Sequence, residues 1–237
     1  MNITHKTLFV FEVRTATLED IDGILKLDNE VWTDFPADRD MIESRILVFQ
    51  EGNFVAVYRG EIIGYLSLQF IGYDLESHPT FSWDEITDNG TLRKSHNPAG
   101  QYMYGVGMTV SPHFQNFGIA TRLIFAGWSL IVRHNKKGCL LGSRMPGYSE
   151  AGDRYSPEEY LSLKRIDGRF HDPELRLYQG DGFSIIGLLP EYENDPPSRN
   201  YGVLIYQANP FYNKGIPILY RLTAYILARW GHKVIGV

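Results

Sequence analysis

The chain has 237 residues, 43% apolar and 14% aromatic, which suffices for one sizeable core and excludes a disordered or fibrous polypeptide. Its formal net charge of −5 argues against nucleic acid as the main partner and leaves room for a cationic acceptor. The start of the chain lacks a basic-then-apolar leader and no apolar run approaches the ~18–20 residues of a membrane span, so a cytoplasmic protein without a membrane partner is expected.

In chain order, residues 9–14 alternate and read as a strand. Thr17, Glu19 and Asp20 mark a capped helix start, and Ile21, Ile24, Leu25 and Val31 give that helix an apolar face as far as Trp32. A second helix is expected over residues 38–49, after Pro36. Residues 53–58 and 61–71 are β-rich and flank Arg59-Gly60, which predicts a hairpin. Residues 72–100 form a long polar insertion in which only 81–83 look strand-like, and a lid over an acceptor cleft is the expectation for it. Residues 102–110 return to strand character, with Gly105 and Gly107 marking a bulge or a close approach.

Helical periodicity follows over residues 118–134, with Ala120, Leu123, Ile124 and Ile131 facing inward. Residues 138–143 form a short apolar strand containing Cys139, the one cysteine, expected to be buried and consistent with a reducing compartment. Residues 144–171 are polar and irregular apart from a short helix starting at Ser156. Asp172-Pro173-Glu174 opens another short helix, with Pro at its first position, closing at Gly180 or Gly182. Residues 183–189 and 201–208 read as the last two strands, and 216–230 as a final apolar helix. This order implies an α/β protein with a mixed sheet and helices on both faces.

The most informative stretch is the segment between the strand at 102–110 and the helix after it, where Gln115, Gly118 and Ala120 stand as Gln-x-x-Gly-x-Ala. A loop of this kind at a helix start aims free backbone N–H groups, and the positive end of the helix dipole, at one point. That is a site for phosphate or pyrophosphate, with Gly118 permitting close approach. No Gly-x-Gly-x-x-Gly opens a helix, which sets aside a dinucleotide fold. Nothing has zinc-ligand spacing, so no metal is expected.

The order Val110, Pro112, Gln115, Gly118, Ala120 resembles the acetyl-CoA signature of the GNAT superfamily of N-acetyltransferases. The resemblance extends over residues 10–209 and implies the GNAT fold, with coenzyme A as cofactor. On it, Gln115, Asn116, Phe117, Gly118, Ile119, Ala120 and Thr121 would hold the pyrophosphate. The pantetheine arm would run along Met108, Thr109 and Val110, whose backbone N–H groups would polarise the thioester carbonyl. Leu177-Tyr178 with Gly182-Phe183 is similar to the second signature of the family, which places Tyr178 beside the coenzyme sulfur as proton donor. His171 and Glu174 stand where the family often carries Asn and Ala.

Segments around Trp83, His96, Arg144 and Tyr178 are further similar to the GNAT portion of bacterial proteins that join this domain to a carbon–nitrogen hydrolase, here without the hydrolase half. Trp83, Tyr104, Arg144 and Tyr148 are the candidates for the acceptor side. No general base is assigned among Asp74, Glu76, Asp84 and Glu150, which lie in loops able to border the cleft. The reading is therefore a GNAT domain over 1–210 with a helical extension over 211–237, packed on the domain or at a homodimer interface. Its expected activity is direct acetyl transfer from acetyl-CoA to the amine of a small molecule. Rivals are a non-catalytic acyl-CoA-binding module, and a transferase of another acyl group or to an oxygen acceptor.

Overall fold

Seven strands form one sheet in the order β1-β2-β3-β4-β5-β7-β6. They are β1 (Glu12–Thr15), β2 (Asn53–Tyr58), β3 (Glu61–Ile71), β4 (Tyr102–Val110), β5 (Gly138–Arg144), β6 (Ser184–Leu189) and β7 (Gly202–Ala208). All neighbours are antiparallel except β4 and β5, which run parallel. The computed structural model describes residues 9–32 and 36–214. The helix expected over 216–230 lies outside the described residues.

Two helices cover one face. Helix α1 (Ile21–Val31) follows a turn closed by the reciprocal Thr17–Asp20 capping bonds, and α2 (Arg39–Phe49) is capped by the Asp38 side chain on Met41 N–H at 2.8 Å. Ile21, Ile24, Leu27, Ile42 and Ile46 pack there against Val55 and Tyr65. The opposite face is covered by α4 (Ile119–Arg133), whose Ile119, Leu123, Ala126, Leu130 and Ile131 meet Phe54, Leu66, Leu68, Phe70 and Met103. Burial of such a stripe, at roughly 1.5–3 kcal/mol per large side chain, is what holds a helix to a sheet.

The insertion at 72–100 is built into the core. Leu92 is fully buried, and Phe81, Trp83 and Ile86 pack with Tyr104, Leu140 and Tyr192. Hydrogen bonds from Gln69 Nε2 to Ile86 O (2.7 Å) and from Arg45 Nε to Gly90 O (2.7 Å) tie it to β3 and α2. The piece expected to be extended at 81–83 instead starts helix α3 (Trp83–Thr87), because Ser82 and Glu85 form a capping box. Three short helices follow β5: α5 (Tyr148–Ala151), α6 (Pro157–Ser162) and α7 (Pro173–Gly180). Helix α5 had no sequence signal beyond a Pro-Gly turn before it.

Candidate active site

Strands β4 and β5 are bonded only over Tyr102–Tyr104 and Gly138–Leu140, and beyond that point β4 continues alone on this side to Val110. A bulge at Val106, where Ser67 pairs with Gly107 but Leu68 with Gly105, bends β4 away. Gly105 is also a close approach, since a Cβ there would run into Leu141 Cδ2. Both readings of the two glycines hold.

The split leaves backbone groups open. Ser111 N donates to Ile63 O at 3.0 Å, which fixes the phase of the ladder: Tyr65 and Thr109 exchange bonds with each other. Met108 and Val110 therefore turn their N–H and C=O groups to the other edge, where β5 has diverged. Thr109 differs from its two neighbours. Its backbone is used by β3, while its hydroxyl donates to Asp28 Oδ1 (2.8 Å) and accepts from Trp32 Nε1 (3.0 Å).

The loop after β4 is a single 3-10 turn over Pro112–Phe114, then Asn116 and Gly118 at φ of +66° and +78°, then α4. Arg122 N to Gly118 O, at 3.1 Å, is the first bond of the helix. Outside the turn's own bonds, no protein acceptor among the described residues takes the N–H groups of Gln115 to Thr121. Every other α-helix described carries an acid in its first turn, and α4 has none. The positive end of its dipole therefore faces no acidic side chain from its own first turn. Gln115, Asn116 and Thr121 are exposed, Ala120 is half-buried, and Ile119 anchors the loop in the core. Phe117 is 52% exposed with the Phe9 ring tilted against it, ring centroids 4.5 Å apart.

Helix α7 is capped by Asp172, whose Oδ1 accepts from Glu174 N (2.9 Å) and Leu175 N (3.1 Å). Tyr178 lies on it with Phe183 edge-on at 5.6 Å, held by a bond from Phe183 N to Tyr178 O of 3.0 Å. The phenol has no hydrogen-bond partner among the described residues, and burial, with Glu174, Cys139 and Asp181 adding, pushes its pKa up. It stays protonated through the neutral range. Cys139 is buried as expected, and burial pushes its thiol up to about 12.

The acceptor-side candidates divide. Tyr104 is fully buried with its hydroxyl 2.6 Å from that of Tyr192, and Tyr148 is buried with its hydroxyl on Tyr155 O at 3.1 Å. Both are core residues in this structure, because each phenol finds a partner inside. Trp83 is half-buried and its indole N–H donates to Val106 O at 3.0 Å, at the bulge. Arg144 ends β5 and grips Asp195 with two bonds of 2.9 and 2.5 Å. The sheet is open at Gly107, an exposed mid-strand residue whose Cβ would meet nothing within 4 Å. Ser67, paired with Gly107, has the one buried side-chain oxygen without a partner among the described residues.

Sequence reasoning passed over Glu174 as anything but a departure from a pattern. It is half-buried one turn before Tyr178, and its carboxyl is raised to about 7. Loss of solvent is the main cause; the Arg144 charge and amide pull it back, and Asp172 and Asp195 push it up. Glu193, on the connection between β6 and β7, is raised for the same first reason with Asp195 and Asp84 adding. The position of Glu174 at four residues before Tyr178 was the signal available.

Among the described residues no helix is long and apolar enough to cross a membrane. The family model described as "Acetyltransferase (GNAT) family" matches residues 18–127. The chain is 33% identical over 207 residues to an uncharacterized N-acetyltransferase, YkwB, of Bacillus subtilis, covering 85% of this chain and 90% of that one. It is 32% identical over 195 residues to a probable hydrolase, YhcX, of the same organism, covering 81% of this chain but only 37% of that longer protein. This fits the likeness to proteins that carry a GNAT portion beside a hydrolase. Among solved structures, the loading GNATL domain of CurA from Lyngbya majuscula superposes with a TM-score of 0.72 at 22% identity, over 84% of this chain and 98% of that one, which shows a shared fold. The split sheet, the uncapped helix start and these relatives agree: the chain belongs to the acetyltransferase (GNAT) family, acyltransferases whose acyl donor is a coenzyme A thioester.

Proposed function

We propose that the protein is an acetyl-CoA-dependent N-acetyltransferase that acts on the amine of a small molecule by direct attack. The observation that carries this reading is the run of amides from Gln115 to Thr121 at the head of α4, which find no acceptor outside their own turn among the described residues and are continuous with the open edge of β4. The loop would take the pyrophosphate, and the N–H groups of Met108 and Val110 would receive the pantetheine and the thioester carbonyl. Tyr178 would give its proton to the departing sulfur. The acceptor would enter on the other face, over Gly107, between Trp32 and Trp83, with the 72–100 segment as wall. A direct mechanism suits this arrangement because transfer from a thioester needs orientation, a polarised carbonyl and proton transfers rather than a protein nucleophile, and Cys139 is buried with a raised pKa.

The test is twofold. Calorimetry should show acetyl-CoA binding, and a panel of primary amines screened by release of free thiol should contain one acetylated well above the uncatalysed rate. Binding without turnover on any amine or alcohol would favour the non-catalytic module.

A further inference from the structure

We propose, on the acyl-transfer reading above, that Glu174 is the general base of the reaction, taking the proton that the attacking nucleophile sheds while Tyr178, one turn along the same helix, protonates the leaving sulfur. Residues four apart on a helix share a face, so the two groups look into one space. Helix α7 packs against β5, with the Glu174 carboxylate at Arg144 on the far end of that strand and the Tyr178 ring clustered with Leu141 and Phe183. The pair therefore spans the side of the split along which β4 offers its free amides.

The neighbouring carboxylates are committed elsewhere. Asp172 caps α7 and also accepts from Gly147 N (3.0 Å) and Tyr160 Oη (3.1 Å). Asp195 is used by Arg144 and by Ser198 Oγ. Apart from the Arg144 amide, the Glu174 carboxyl has no hydrogen-bond partner and no ion pair among the described residues, yet it is half-buried. The loop acids fit less well: Asp74 closes its own turn on Ser77 and Glu76, and Glu76, Asp84 and Glu150 are exposed.

The proton balance closes on these two residues. As the new bond forms to the acyl carbon, the nucleophile's N–H (or, in water, O–H) bond breaks to Glu174 and the C–S bond breaks to a thiolate, which takes the Tyr178 proton. The acid left on Glu174 then returns its proton to the Tyr178 phenolate, and both groups are reset. A carboxyl raised to about 7 by burial is divided between its two forms at neutral pH, where a base is most useful. The charged or titrating groups facing it are Arg144, which lowers it, Asp172 and Asp195, which raise it, and Tyr178, with Glu193 beyond Asp195.

Acetyl-CoA hydrolysis, with water as the nucleophile, and aminolysis by a panel of primary alkylamines are measured from pH 5 to 9. The wild type should gain activity as pH rises through about 7 and then level off, because the base must be ionised. Glu174→Gln should lose that limb and fall by roughly 10²-fold or more while binding coenzyme A within a few-fold of wild type. Glu174→Asp, which keeps a carboxylate, should retain a limb at reduced rate; a thermal melt shows that each variant folds. Glu174→Gln with the wild-type rate and limb overturns the base and leaves the transferase standing. A wild type that binds acetyl-CoA but neither hydrolyses nor aminolyses it overturns both.

Discussion

Gly118 is the position at which coenzyme binding and folding can be separated by measurement. Its φ of +78° costs any other residue about 1–2 kcal/mol, and its Cβ would point into open space, so Gly118→Ala carries strain without a clash. For a domain of this size that lowers the melting temperature by roughly 2–8 °C. Gly118→Glu bears the same strain and adds a charge among the amides that would hold the pyrophosphate. One unit charge at ~4 Å from another repels by about 1 kcal/mol in bulk water and about 4 kcal/mol at a protein surface. Two phosphate charges and a blocked set of amides then predict an affinity loss of at least about 10²-fold by titration calorimetry, at a melting temperature close to that of Gly118→Ala. A Gly118→Glu protein that binds acetyl-CoA within about threefold of wild type would refute the phosphate loop.

Tyr178→Phe should leave stability within about 0.5 kcal/mol, since the hydroxyl has no partner among the described residues, and coenzyme affinity unchanged, while turnover falls by ~10²-fold or more; unchanged turnover in the thiol-release assay removes the tyrosine as acid. Asp195→Ala strips a largely buried guanidinium, the Arg144 and Asp195 side chains being 30% and 11% exposed, and should cost about 2–4 kcal/mol in urea unfolding, discounted for that exposure. His96 is half-buried between Phe49 and Phe70, accepts from Phe70 N at 3.2 Å, and has its pKa lowered to about 4 by burial and by Lys136. The unfolded chain therefore binds the extra proton below about 6.5 and the native one only near 4. Stability should fall as pH drops through that window, and His96→Gln, measured by urea unfolding at pH 7 and 5, should flatten the decline.

Much of the fold was legible. The hairpin around Arg59-Gly60, the strand at 102–110 and the helix of Tyr178 fall where alternation, turn residues and Asp-Pro-Glu put them. These signals are local, each set by residues within a turn or two. The misjudged pieces depended on what lay across the chain. Ser82 and Glu85 cap each other and override the aromatic, strand-like look of 81–83. Tyr104 and Tyr148, read as acceptor contacts from their place in the chain, are interior because Tyr192 and the Tyr155 carbonyl happen to stand opposite their hydroxyls.

The amino-acid order alone determined a glycine-led helix start without an acid in its first turn, its place after a bulged central strand, and a tyrosine on a later capped helix. Each depends on glycines, caps and periodicity, which act over a few bonds. Only the tertiary structure decided that β4 and β5 part after three paired residues, that Met108 and Val110 rather than Thr109 face the gap, and that Glu174 loses enough solvent beside Arg144 and Asp195 to titrate near neutrality. Strand register and desolvation are set by groups far apart in sequence, and no short stretch of residues carries them.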